Sequence, residues 1–151
     1  MQQGLNPAYL LALYRNINES PFPRHMPMRV LEISLETSRV ELEVAECHLQ
    51  PFGIVHGGVI ATLVDTATFW AGFGPIAEDA GLVNVDLKLN YLETVSEGTL
   101  IASGRCIRAG RTISYTEAHI RTANDRLIAH GTSTLMTLPG KGISVGLPKF
   151  L

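Results

Sequence analysis

Apolar and polar positions follow two rhythms along the chain. The first has a period of two, the spacing of a half-buried strand. In residues 29–36, Leu31, Ile33 and Leu35 fall on one side; in 39–47, Val40, Leu42 and Val44 do, with Glu41 and Glu43 opposite. In 82–92, Val83, Val85, Leu87, Leu89 and Tyr91 alternate with Asn84, Asp86, Lys88 and Asn90, which predicts one unbroken strand with two distinct faces. Further strands are predicted over 98–108, 112–122 and 127–137, with turns at 108–111 and at Asn124-Asp125. The alternation slips between Tyr115 and Ala118, which points to a bulge there. Cys47 and His48 read as the end of a strand.

The second rhythm is helical. Over 6–19, Asn6 suits an N-cap, Pro7 the first helical position, and Leu10, Leu13, Tyr14 and Ile17 share a face. Residues 57–73 are apolar all round, which predicts one long helix buried on several sides. Ser20 to Pro27, with its three prolines, is expected to be a loop, as is Pro51 to Gly53. The order is helix, two strands, long helix, four strands joined by short links. That is an α+β arrangement, a curved antiparallel sheet around one central helix. It divides into an N-terminal helix and loop (1–27), a central domain (28–139) and an irregular, glycine-rich tail (140–151).

Composition narrows the function classes. The 151 residues fit one domain, and a net charge of -2 without any basic run argues against nucleic acid as a partner. Two distant cysteines, Cys47 and Cys106, suggest a reducing, cytoplasmic setting, and M-Q-Q-G-L-N-P has no basic leader region. The stretch 57–77 is long enough for a bilayer. However, Asp65 near its middle would cost roughly 2.5–3.5 kcal/mol, and Thr62, Thr66, Thr68, Gly72, Gly74 and Pro75 weaken it further, so no membrane span is expected.

Asp65 is the only charged side chain between His56 and Glu78. A lone carboxylate is expensive to bury, so it either does chemistry or is a satisfied structural group. His56-Gly57-Gly58 opens the same helix. The first N–H groups of a helix lack internal partners and carry the positive end of its dipole, which suits a developing oxyanion. Gly58 and Asp65, seven residues apart, share a face but are separated by a rise of about 10 Å. One carbonyl does not readily touch both. Two copies with antiparallel central helices would bring one chain's glycines to the other chain's Asp65, so a homodimer is expected. His56 and Asp65 point apart, His25, His48, His119 and His130 lack ligand spacing, and no metal site is expected. G-x-S-x-G, the P-loop and a strand-linked G-x-G-x-x-G are absent from the sequence.

The segment H-G-G-V-I-A-T-L-V-D-T-A (56–67) resembles the PaaI-type acyl-CoA thioesterases of the hotdog-fold superfamily. Supporting matches are V-D-L-K-L-N-Y-L (85–92), E-G-T-L-I-A-S-G (97–104), R-A-G-R-T (108–112) and L-I-A-H-G-T (127–132). The resemblance covers about residues 20–138. It implies a hotdog fold, dimers that pair their sheets, often as dimers of dimers, and active sites at the dimer interface. It also implies an acyl-CoA substrate, with CoA part of that substrate and no other cofactor. Gly57 would present its N–H to the thioester carbonyl, with Gly58 beside it and His56 shaping the turn. Asp65 of the other chain would be general base or nucleophile. The chain departs from the family pattern twice: Gln50 stands where relatives carry Asn, and Asn84 where they often place Ser or Thr near the attacking water. Phe22 and Met26 are candidates for the acyl pocket, whereas Phe69 and Trp70 read more as core. Arg105, Arg108 and Arg111 would meet CoA phosphates or form a solvated strand end. The alternatives are a non-catalytic acyl-CoA binding protein and, less favoured by the His56–Asp65 geometry, a hotdog dehydratase or hydratase.

Overall fold

A computed structural model describes residues 4–151. Helix α1 (Pro7–Asn18) starts where Asn6 and Pro7 predict it: the Asn6 side chain accepts the Ala8 N–H at 3.0 Å. It buries Tyr9, Leu13 and Ile17 and packs beside strand β1 (Met28–Ile33). A short helix, α2 (Pro21–His25), occupies the segment expected to be a loop. Pro21 and Pro23 both fall in its first turn, where backbone N–H groups have no helical acceptor, so neither proline removes a bond.

Strand β2 (Thr37–Glu43) follows, then a 3-10 turn over Glu46–His48. Cys47 and His48 are therefore not strand content. The His48 ring fixes this turn from inside: its Nδ1 accepts the Ala45 N–H at 2.9 Å, so Nε2 carries the proton and donates to the Met26 carbonyl at 3.0 Å. Helix α3 (Gly57–Phe73) precedes four strands, β3 (Gly81–Tyr91), β4 (Thr99–Arg108), β5 (Ile113–Thr122) and β6 (Leu127–Leu138).

All six strands form one antiparallel sheet in the order β1-β2-β4-β5-β6-β3. The sheet curves around α3, as the sequence predicts. Leu63, Val64 and Ala67 of the helix meet a core that includes Val40, Leu42, Leu100, Ala102, Ala118, Ile120, Ala129 and Leu135. Gly104 sets the closest approach, since a Cβ there would lie 2.2 Å from the Ala67 carbonyl oxygen. The chain does not run from β3 into a neighbouring strand. It crosses the sheet to β4 and leaves β3 as an edge paired, among the described residues, only with β6.

The pairing register shifts at four places, and two of them bear on the alternation predicted for β3 and β5. The bulge foreseen within β5 sits on its neighbour: Cys106 and Arg108 of β4 oppose Thr116 and Tyr115, so Ile107 is the extra residue. In β5 itself, Ser114, Thr116, Ala118 and Ile120 are all buried, and the apparent slip is only two small polar residues facing inward. A second bulge interrupts β3 at Val85, between Asn84 and Asp86. One extra residue exchanges the two faces of a strand. Before Val85, Leu82 and Asn84 face α3; after it, Leu87, Leu89 and Tyr91 do, opposite Ser133, Gly131 and Ala129. The single alternating strand of the sequence is thus two half-strands of opposite parity.

The tail lacks helix and strand, but it is fastened. Phe150 bridges to Leu5, the Asn6 N–H donates to the Lys149 carbonyl at 2.8 Å, and the Gly142 N–H donates to Asp79 at 2.9 Å.

Candidate active site

The sheet leaves one stripe of α3 half open. Leu63, Val64, Ala67, Thr68 and Ala71 are buried, whereas Gly57, Ala61, Thr62, Asp65, Thr66 and Phe69 are only partly so. These partly covered positions follow the helical three- and four-residue spacing that puts side chains on one face. The stripe carries both features singled out in the sequence, the glycines and the carboxylate.

At the helix start His56 is the N-cap, and its Nδ1 accepts the Gly58 N–H at 2.7 Å. The imidazole is thereby committed as an acceptor on that nitrogen. The Gly57 N–H makes no hydrogen bond to protein among the described residues, as expected of a first-turn donor. The Tyr91 hydroxyl donates to the Gly57 carbonyl at 3.1 Å, and a Cβ on Gly57 would sit 3.2 Å from the Tyr91 ring. Gln50 belongs to the preceding turn, where its side-chain oxygen accepts the Phe52 N–H. That leaves the NH2 half of the amide for the neighbouring pocket of about 490 Å³, which Gln50, Gly57, Ile60 and Tyr91 help line.

Two turns further on, Asp65 sits at a second pocket, of about 290 Å³, among Ile17, Phe22, Met28, Phe69, Trp70 and Ile143. Its Oδ1 accepts a hydrogen bond from Asn84 Nδ2. Burial raises the Asp65 pKa above the ordinary carboxylate value, and the Asn84 donor offsets this in part. The other end of that amide, Asn84 Oδ1, is buried and has no partner among the described residues. A buried acceptor without a donor is uncommon and calls for an explanation. The β3 bulge creates this arrangement, because only the half-strand before Val85 turns Asn84 toward α3.

Within one chain the predicted residues form two groups. Gln50, His56, Gly57 and Gly58 gather at the helix start, and Asp65, Asn84 and Phe22 at its middle. Met26 packs against the core and does not line the Asp65 pocket, and its carbonyl serves His48. Arg108 ends β4, and Arg111 borders a cleft with Pro75, Ile76 and Ala77, just beyond the far end of α3. Neither arginine lies at either group. Phe69 and Trp70, read as core, are partly so: both also line the Asp65 pocket.

Three residues escaped notice in the sequence. Tyr91 looked like one more apolar position at a strand end. Ile143 lies in a tail with no periodic signal. Lys149 is fully buried, its ammonium donating to the Phe73 and Ile76 carbonyls at 2.7 and 2.8 Å and lying 4.1 Å from the Phe73 ring centre. Burial lowers its pKa to about 8. Nothing in its neighbourhood along the chain distinguishes it from an exposed terminal lysine.

Residues 52–129 match the thioesterase superfamily. The chain belongs to that superfamily. A Caenorhabditis elegans protein bearing a provisional esterase name is 34% identical over 118 residues, covering 76% of this chain and 69% of its own length. The 1,4-dihydroxy-2-naphthoyl-CoA hydrolase of Listeria monocytogenes is 28% identical, covering 68% of this chain and 85% of its own. Among solved structures, a thioesterase from Haemophilus influenzae superposes with a TM-score of 0.78 at 26% identity, covering 84% of this chain and 88% of its own. This thioesterase-superfamily chain has the hotdog architecture that those relatives lead one to expect: a curved antiparallel sheet around one long helix. Among its described residues, none of the helices is long and apolar enough to cross a membrane, and no three His, Cys, Asp or Glu side chains cluster to hold a metal.

Proposed function

We propose that the protein hydrolyses an acyl-CoA thioester to a free acid and CoA, at sites built from two chains. The observation that carries this is Asp65: a half-buried carboxylate that lines a mainly apolar pocket and is held there by the Asn84 amide. A water in that pocket donating a hydrogen bond to the Asp65 carboxylate would have its lone pair free for attack. The superfamily and the name of the Listeria relative support a CoA thioester as the substrate class.

In this reaction Asp65 removes a proton as the water oxygen bonds to the thioester carbon. The carbonyl oxygen becomes an oxyanion, stabilised by the Gly57 N–H of a second chain and by the dipole of that chain's α3. The intermediate collapses by breaking the C–S bond, and the departing thiolate takes the proton from Asp65. Attack by the carboxylate itself, through an anhydride that water then cleaves, fits the same position.

Geometry supports a second chain. Gly57 and Asp65 border different pockets of one chain, two turns of helix apart. The free edge β3 exposes Val83, Val85 and Leu87, at 40%, 60% and 38%, a liability that pairing with another copy would remove. Joining two β3 edges antiparallel sets two α3 helices side by side in opposite senses. One half-site then meets the complementary half of the other chain.

The test is thiol release from a panel of acyl-CoAs by wild type and Asp65→Asn, with oligomeric state measured by sedimentation. Hydrolysis that Asp65→Asn abolishes in an intact dimer supports the proposal. Tight acyl-CoA binding without thiol release by wild type would make the protein a binder instead.

A further inference from the structure

The superfamily match spans residues 52–129, yet much of the wall around Asp65 lies outside it. Ile17 comes from α1, Phe22 from α2, Met28 from the start of β1 and Ile143 from the tail. These are not loose ends. The Tyr9 hydroxyl of α1 donates to the Ile143 carbonyl at 3.1 Å, the Asn6 side-chain amide donates to Pro148 at 2.9 Å, and Lys149 plugs the end of α3. From that plug an aromatic series runs back to the pocket: Lys149 over Phe73, Phe73 against Trp70 at 5.2 Å, and Trp70 edge-on to Phe69 at 4.9 Å. The Phe69 and Trp70 part of the pocket lining is therefore braced through the tail. Phe22, 55% exposed, stands at the same pocket as a large apolar side chain.

We propose that the acyl group of the substrate occupies this pocket, and that the two chain ends, through Phe22 and Ile143, set the size it accepts. This rests on the acyl-CoA reading above. At about 290 Å³ the pocket lies at the small end of ligand sites. At roughly 30 Å³ for each water-sized group, it holds about ten non-hydrogen atoms. That suits a compact acyl group, an aryl ring or a short chain such as benzoyl or hexanoyl, and leaves most of a palmitoyl chain unburied. The walls are mainly apolar and aromatic, so selection acts by shape and burial. In such a pocket a misfit of a methylene or two changes kcat/KM by roughly 10–200-fold.

The experiment compares kcat/KM for acetyl-, hexanoyl-, benzoyl-, dodecanoyl- and palmitoyl-CoA across wild type, Phe22→Ala and Ile143→Trp. Affinities of the same esters for Asp65→Asn, alone and combined with each substitution, form a second readout. Wild type should prefer hexanoyl or benzoyl over palmitoyl by about tenfold or more. Ile143→Trp should lower the benzoyl-to-acetyl ratio about tenfold, and Phe22→Ala should raise the dodecanoyl-to-hexanoyl ratio severalfold. Phe22 is exposed enough that its variant folds even if the tryptophan does not. If both ratios stay at the wild-type value in rates and in affinities, the chain ends do not set specificity and the proposal falls. If no ester releases thiol but the variants reorder the affinities, the pocket assignment stands and hydrolysis is what fails.

Discussion

The two ends of α3 are finished in opposite ways. Every helix leaves unpaired N–H groups at its start and unpaired carbonyls at its end. At the far end, the buried Lys149 ammonium supplies donors to the Phe73 and Ile76 carbonyls, and the tail covers them. At the near end, His56 satisfies the Gly58 N–H, while the Gly57 N–H beside it is left open. The protein thus closes one terminus of the helix and, among the described residues, leaves at the other a donor able to polarise a carbonyl. Asp65, half-buried between them, carries a cost in the same helix: its ionised form is disfavoured by burial.

The largest expected effect is at Asp65. Asp65→Asn should cut thiol release by about 10²–10⁴-fold, the contribution typical of a positioned acid or base. The same substitution should make the fold more stable at pH 7. The native pKa is raised, so the folded state holds its proton more tightly than the unfolded chain. The ionised carboxylate therefore costs stability above that pKa, and the cost disappears as pH falls below the ordinary carboxylate range. Thermal melts of both proteins at pH 7 and pH 3.5 check this: the gap should be present at the first and shrink at the second.

The opposite outcome is expected at the sealed end. Lys149→Met keeps the aliphatic stem but strips two carbonyls of their donor, and should cost roughly 1–3 kcal/mol in denaturant titrations. Its kcat should change little, because Lys149 touches no reacting atom. The pH dependence sharpens the assignment. With a native pKa of about 8 against an ordinary value of 10.5, the folded protein releases this proton before the unfolded chain does. Stability therefore gains a positive slope from about pH 8 upward, which Lys149→Met should remove.

Smaller effects separate the open end from the carboxylate. Gly57→Ala puts a methyl group 3.2 Å from the Tyr91 ring, and should lower kcat about tenfold by misplacing the N–H, with little loss of stability. Asn84→Ala removes the donor that holds the Asp65 pKa down. The acid limb of the kcat/KM–pH profile should then move to higher pH, whereas Gly57→Ala should leave its position unchanged.

The contrast also explains what could be read in the sequence. The limits of α3 were legible because both are punctuated, by His56-Gly57-Gly58 before and by Gly74-Pro75 after. The strands were legible because one face of the sheet is buried against α3. The Val85 bulge was hidden because apolar residues continue through it: Val83 and Leu87 look like neighbours on one face, yet only Leu87 faces the helix. The pairing of Asn84 with Asp65 depends on that bulge. Helix α2 was hidden by prolines that normally end helices but here begin one. Lys149 and Ile143 could not be found from local pattern, since their places are set by contacts with residues more than 70 positions away.

The central claim is that one site needs two chains, and subunit complementation tests it most directly. Asp65→Asn and Gly57→Val chains should each be inactive alone, the first lacking its carboxylate and the second its aligned N–H. Unfolded together, refolded as a mixture and assayed for thiol release, they should recover about a quarter of wild-type activity, because half of randomly paired dimers are mixed and each mixed dimer holds one intact site. No recovery, in a mixture shown to contain mixed dimers, would place Gly57 and Asp65 in the same site of a single chain and contradict the account.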